Sequence, residues 1–398
     1  MAQILDESPF AYDELFFSRT DLKGTIQAGN NVFQRVSEFT WDELLGRPHN
    51  VIRHPEMPRA VFYVLWKFLK AGKPIGAFVK NKAKSGRHYW VYALALPVNS
   101  GYLSVRLKPG GDFFTKISAE YENLKKLEVS KNLSPEQSSE ILLHRLNEIG
   151  FKDYESFMTE ALIDQLNYRS KKMDKPPSTL SVDLARLMSG SLQTIEFSKK
   201  ILSAFKTNKF VPLNLEVYAS RLGEEGKRIS VVANQYQKMA QEINAQIEKF
   251  GTMSIQVLEQ VNLGRFLLGS SDLLDEIKNY LVNEPEHLDK EGFEIFDQLI
   301  ADYLGESLKG VQEIVKVIKD FSLICEDLQT LGSGLELVRI TGKIESANLQ
   351  QSSEVTEMLN SLRGFQTILG SSLKDIVARN SLMKTQSSDL LVAIRKRT

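Results

Sequence analysis

The sequence predicts an α+β domain, an antiparallel sheet with short helices, followed by an all-α region of long helices packed as an antiparallel coiled-coil bundle. Three observations predict it. Short apolar runs punctuated by turn residues fill roughly the first hundred residues. All three Trp lie before residue 91, and only Pro212 and Pro285 occur after residue 177. Heptad spacing dominates beyond that point.

Taken in order, Ser18 to Gly24 carries Asp21 and Gly24 between apolar stretches, the composition of a tight hairpin turn joining two strands. Asn30 and Asn31 precede Val32, Phe33, Val36 and Phe39 at helical spacing. Thr40-Trp-Asp-Glu43 has the form of a capping box for the next short helix. After a proline-rich run, residues 60–69 form an apolar helix with Phe62, Leu65, Trp66 and Leu69. Strands follow at 77–81 and 88–97, separated by a turn at Ser85-Gly86, and a last strand covers 102–107.

This order of elements resembles a PAS domain, and the residues resemble its aerotaxis-receptor (Aer-type) branch. The resemblance rests on Phe17-Ser-Arg-Thr-Asp-Leu-Lys-Gly24, Gly46-Arg-Pro-His-Asn50, Arg53-His-Pro-Glu-Met-Pro58, Val79-Lys-Asn81 and His88-Tyr-Trp-Val91, in that order, over about a quarter of the chain. Glu56 stands where that family usually has Asp, and Ile75-Gly76-Ala77 follows Pro74 where Trp and Gly are usual. The resemblance implies a non-covalent FAD, with Arg53 and His54 at the rim of the site and Trp66, Trp90, Asn30 and Asn81 in its slot. An isoalloxazine needs an apolar, aromatic slot and its diphosphate needs cationic donors. Haem is the alternative ligand, and an empty pocket a third state. Trp66 and Trp90 also read as core aromatics, and Arg53 as a helix cap or a partner of Glu56. Lys80, Lys82, Lys84, Arg87 and Lys108 read as a solvated edge that discourages strand pairing.

Composition narrows the function classes. The chain of 398 residues balances 50 basic against 50 acidic residues, which argues against a nucleic-acid partner. The single Cys325 excludes an intrachain disulfide and a thiolate metal cluster. The longest apolar run is far short of the roughly 20 residues that cross a bilayer. The opening residues carry no basic-then-apolar leader, so a cytoplasmic protein is expected. A Walker-type loop, a histidine-kinase segment, a His-Glu-x-x-His and a glycine-flanked nucleophilic Ser are all missing, so no enzymatic activity is expected.

Beyond the first domain, 1–115, a helical linker module is expected over 116–177, with Leu142, Leu146, Ile149, Phe151, Tyr154, Phe157 and Leu162 as its core. Lys175-Pro-Pro-Ser178 ends it. The long-helix region then spans 178–398, as two diverged hairpins over 178–262 and 306–398. Its seams are Ile229, Val232, Tyr236, Met239, Ile243, Ile247 and Phe250; Val311, Ile314, Ile318, Phe321, Cys325 and Leu328; and Val355, Met358, Leu362, Phe365, Leu369, Leu373 and Ile376. Cys325 falls on a seam and reads as core packing.

Residues 213–233 resemble the hairpin tip of methyl-accepting chemotaxis receptors, the part that grips the kinase CheA and the coupling protein CheW. Asn214, Glu216, Arg221, Glu224 and Val231 are the positions that this resemblance would place against such partners. Val217, Tyr218, Arg228 and Ile229 depart from its pattern. A weaker echo at Arg339 to Leu349, with a polar Gln350 to Ser353 turn, suggests a duplicated hairpin that would give one chain four helices. Self-association through the coiled coils is also expected. The combined reading is a sensory transducer whose PAS domain detects redox state or a small ligand and signals to a chemotaxis-type kinase complex. The alternative is a non-enzymatic scaffold with an empty pocket that docks another kinase, a cyclase or a motility protein.

Overall fold

The computed structural model describes residues 7–282, 290–347 and 353–397. The chain divides into two compact units, 1–182 with 262–307 and 397–398, and 183–261 with 308–396.

The first unit is built on strands β1 (Phe16–Asp21), β2 (Ile26–Gly29), β3 (Ile75–Lys82), β4 (His88–Val98) and β5 (Gly101–Leu107), in the antiparallel order β2-β1-β5-β4-β3. Asp21 makes the first hairpin: its Oδ1 accepts from the backbone N–H of Lys23 and of Thr25, both at 2.8 Å, and Gly24 takes a φ of +81° that glycine alone adopts freely. Asn30 caps α1 (Asn31–Ser37), accepting from the Phe33 N–H at 3.3 Å. The Glu43 carboxylate accepts from the Thr40 N–H at 3.0 Å and opens α2 (Trp41–Leu44). A 3-10 turn, His49–Ile52, then leads into α3 (Arg59–Lys70).

Strand register decides which side chains face inward. Ser18 pairs with Ser104, Thr20 with Tyr102, Ala95 with Ser104, Ala93 with Arg106, and Asn81 with Tyr89. These residues share one face of the sheet, and the alternate positions Phe17, Phe78, Trp90, Tyr92 and Val105 share the other. The second face is covered by α4 (Gly111–Ser130) and α6 (Tyr154–Lys172). There Phe78 meets Phe113 and Phe114, the Tyr92 hydroxyl donates to the Met158 carbonyl at 2.7 Å, and the Tyr154 hydroxyl donates to the Gly76 carbonyl at 3.2 Å. Helix α5 (Pro135–Glu148) starts on a capping box of Ser134 and Gln137 and packs on α3.

The same unit takes the end of α9 (Lys227–Leu281) and the start of α10 (Lys290–Ala347). Phe296 is fully buried with its ring 5.6 Å from that of Phe17. Arg169 of α6 donates to both Glu276 oxygens at 2.5 and 2.7 Å, and Arg265 donates to Glu160 at 2.8 Å. Periodicity alone assigns 262–307 to the long-helix region, yet these residues share the first unit's core, because an apolar stripe reads the same whichever surface it meets.

The second unit contains α7 (Thr179–Asn208), α8 (Val211–Arg221), residues of α9 and α10, and α11 (Ser353–Arg395). Its arms are antiparallel. Along α9 and α10, Val232 lies near Gly342 and the tilted rings of Phe250 and Phe321 lie 4.3 Å apart; along α10 and α11, Gly342 lies near Leu359 and Asn380 donates to Ser322 at 2.8 Å. Phe205 of α7 meets Phe365 of α11 at 6.3 Å. Four arms of one chain thus share a core that contains most of the heptad residues read from sequence. Cys325 is buried among them, and burial pushes its thiol up to about 11, well away from thiolate reactivity. Except for Ser353, the polar turn expected at 350–353 lies outside the described residues. No described helix is long and apolar enough to cross a membrane.

Candidate functional site

Between the inner face of the sheet and α3 lies a cavity of about 250 Å³. Its apolar wall is Phe62, Leu65, Trp66 and Leu69 from α3 with Val79, Ala93 and Ala95 from the sheet. Its polar wall is Ser18, Thr20, Asn81, Ser104 and Arg106 from the strands, His49, Asn50 and Arg53 around the 3-10 turn, and Lys23 from the first hairpin. Among the described residues, no Asp or Glu lines it. The alternation that places Leu103, Val105 and Leu107 of β5 against the helices sets Tyr102, Ser104 and Arg106 into the cavity.

Of the residues the sequence assigned to the slot and rim, Arg53, Trp66 and Asn81 line this cavity. Backbone pairing between Arg53 and Asn81 ties the 3-10 turn to β3, and the Arg53 guanidinium lies 3.9 Å over the Phe62 ring. Burial lowers the Arg53 pKa. The Trp66 ring stands edge-on to Tyr102 at 5.5 Å, with the first hairpin closing over it: a Cβ at Gly24 would lie 3.1 Å from Trp66 Cη2.

The other three stand elsewhere. Asn30 is fully buried and structural, its Oδ1 accepting from the Phe17 N–H at 3.0 Å and its Nδ2 donating to the Leu15 carbonyl at 2.8 Å. Trp90 has the opposite strand parity, pairs with Lys80, and packs on Phe114 beneath α4. His54 is not in the cavity lining; its largely covered ring lies 3.6 Å from Glu56, and burial together with Lys80 lowers its pKa to about 4. The basic strand edge is paired rather than merely solvated, through Lys80 with Glu56, Lys84 with Glu43 and Arg87 with Glu38.

Sequence reasoning missed the polar floor. Arg106 is 5% exposed, and its Nη2 donates to Ser18 Oγ at 2.8 Å and to His49 Nε2 at 2.7 Å. Since a guanidinium only donates, His49 accepts through Nε2 and carries its proton on Nδ1. Burial, with Arg106 beside it, lowers the His49 pKa to about 3. The signal that could have revealed this floor is the Tyr-x-Ser-x-Arg alternation in a strand with no polar-solvated face.

A pH effect follows. His49 is held neutral when folded but titrates near 6.5 when unfolded, so the unfolded state binds the extra proton between those values. Stability is expected to fall as pH drops from about 6.5 toward about 3, and the His49→Gln variant is expected to show a shallower fall. Urea midpoints across that range test this; parallel curves for the two proteins would contradict it.

The tip residues belong to the second unit. Glu216 latches α8 to α9, accepting from Ser230 Oγ at 2.6 Å and from Asn234 Nδ2 at 3.3 Å. Asn214, Arg221, Glu224 and Val231 are exposed, and Glu224 pairs with Lys227 at 2.7 Å. The turn needs its glycines: Gly223 has a φ of +59°, and a Cβ at Gly226 would lie 1.9 Å from the Ala219 carbonyl oxygen. Arg228, a departure from the chemoreceptor pattern, pairs with Glu345 of α10 at 3.2 Å.

Comparison with known proteins agrees with this fold. Residues 28–104 match the PAS fold family. The chain is 40% identical over 131 residues to the aerotaxis receptor of Escherichia coli, a match covering 32% of this chain and 26% of that protein. It is 18% identical over 305 residues to the biofilm dispersion protein BdlA of Pseudomonas aeruginosa, covering 76% of this chain and 66% of that one. The chain therefore spans about a quarter of the first relative and just under two thirds of the second. Among solved structures, a light-oxygen-voltage domain studied with a flavin analogue matches at 21% identity and a TM-score of 0.24, over 27% of this chain and 86% of that one. The dark-state Aureochrome1 LOV domain matches at 17% identity and a TM-score of 0.24, over 31% and 99%. Residues 28–104 thus have a PAS fold, similar in sequence to the aerotaxis receptor, and a long helical region follows.

Proposed function

We propose that this chain is a sensory transducer whose PAS cavity holds a flavin, FAD in the first instance, and whose helices pass the state of that cavity to a signalling partner. The observation that supports it most is an aromatic-walled cavity with cationic side chains and, among the described residues, no carboxylate in its lining. A volume of about 250 Å³ suits a planar ring system rather than a whole dinucleotide. Trp66 and Phe62 would flank the ring, Asn81 would offer its amide, and Arg53 and Lys23 would meet the phosphates. A bound flavin supplies reversible two-electron chemistry that changes its charge and hydrogen bonding.

The chain's own residues would carry that change outward. Asn81 lies in β3, five residues along the strand from Gly76, whose carbonyl accepts from Tyr154 of α6. Helix α6 is clamped to α9 by Arg169 and Glu276. A shift of β3 by a fraction of an ångström therefore has a bonded route into the long helices, and a bias of a few kcal/mol suffices for a two-state output. The exposed tip residues Asn214, Arg221, Glu224 and Val231 form the surface that would meet CheA and CheW or their equivalents. Any catalysis would then belong to the partner, not to this chain.

Visible absorption of the full-length protein, before and after dithionite, tests the reading. A flavin spectrum that bleaches, and that weakens at least tenfold in occupancy in Trp66→Ala and Arg53→Ala, supports it. A featureless trace from flavin-supplemented protein contradicts it and favours the scaffold, whereas a Soret band would point to haem. Co-purification with CheA and CheW, and its loss on reversing the charges of Arg221 and Glu224, tests the partner.

A further inference from the structure

Four arginines are buried among the described residues, and three are paired with carboxylates: Arg169 with Glu276, Arg265 with Glu160 and Arg339 with Glu336. Arg106 alone is not. Its Nη2 is satisfied by Ser18 and His49, but its Nη1 is buried with no hydrogen-bond partner, and no described carboxylate lies within ion-pair distance. Its surroundings cannot supply the missing charge. His49 is neutral, and Tyr89, whose hydroxyl is likewise buried and unpartnered, is held protonated because burial raises its pKa. A guanidinium desolvated in this way destabilises the ligand-free protein.

We propose that Arg106 reads charge in this cavity: its guanidinium, which lines the cavity with one nitrogen unpartnered, seats an anionic or oxygen-rich edge of the ligand, so the site selects anion-forming ligands and binds them most tightly in their more negative state. The redox part of this inference rests on the flavin reading above. Two electrons from an external reductant such as dithionite and one proton from solvent convert a neutral flavin ring to a monoanion. A buried cation beside that ring favours the product and raises the midpoint potential. Ser18 and His49 hold the guanidinium in place from β1 and the 3-10 turn, so they are positioning residues.

The test compares the full-length wild type with Arg106→Met, Arg106→Gln and Arg106→Lys, first without flavin. Arg106→Met is expected to raise the thermal midpoint of the flavin-free protein, because it removes an uncompensated buried charge; a lower midpoint in both Met and Gln variants would overturn the proposal and make Arg106 a structural residue. With FAD as probe, fluorescence titration is expected to show at least tenfold weaker binding for Met and Gln and a value within about threefold of wild type for Lys. The midpoint potential of bound flavin is expected to move negative in Gln and to stay near wild type in Lys. Unchanged affinity and potential in Gln would overturn the proposal. If wild type binds no FAD but Arg106→Met still gains stability, the flavin reading fails while the anion site stands.

Discussion

Replacing Phe296 by alanine is expected to destabilise the protein by about 3–5 kcal/mol, the range for emptying a large aromatic site that cannot collapse. Phe296 is fully buried, its ring sits 5.6 Å from that of Phe17 of β1, and it belongs to the same apolar cluster as Phe266, Leu273 and Ile277 of α9. The residue joins the start of α10 to the sheet face opposite the cavity, so the loss should be felt locally as well as globally. Chemical denaturation should show the lowered midpoint, and limited proteolysis should cut first within 290–307. Phe296→Leu, which keeps most of the volume, should cost under about 1.5 kcal/mol. A loss below about 1 kcal/mol for the alanine variant would show that this segment is not part of the folded core.

The second large effect is expected at Glu128. Helix α3 begins after Pro58, which offers no side-chain cap, and the cap comes instead from α4: Glu128, 1% exposed, accepts from the Ala60 N–H at 3.1 Å and from Ser138 Oγ at 2.7 Å. Arg59 at 3.8 Å and Lys125 at 3.7 Å balance its charge. The carboxylate thus fastens α3, α4 and α5 at one point, and its charge suits a helix N-terminus. Glu128→Ala should cost about 3 kcal/mol, since it strands two buried donors at about 1–3 kcal/mol each while Arg59 and Lys125 turn to water. Glu128→Gln, which keeps an acceptor, should cost about half as much. Equal losses in the two variants would show that charge, not hydrogen bonding, is what matters there.

Much of the fold was legible because local chemistry fixed it. Asp21 and Gly24 announce the first hairpin, Asn30 and the Thr40–Glu43 pair announce helix starts, and the seams from Ile229, Val311 and Val355 announce the arms of the second unit. The site was less legible, because it depends on register. The family resemblance put Trp90 in the slot, but a strand places neighbours on opposite faces, and its pairing with Lys80 sends it under α4. A cation in Tyr-Leu-Ser-Val-Arg-Leu gives no local sign of burial, yet β5 is central and covered on both faces. Asn30, expected in the slot, is instead occupied in capping α1. Residues 262–307 could not be assigned to the first unit from their stripe alone, since the 3.6-residue period says that a face is buried but not against what.

A change of state in the cavity should reach the long helices. Amide hydrogen exchange on the flavin-loaded full chain, oxidised and then reduced with dithionite, would reveal it. Changed protection is expected in three places together: β3, α6, and the end of α9 around Glu276. Changes confined to the cavity wall, or none at all beyond β3, would contradict it.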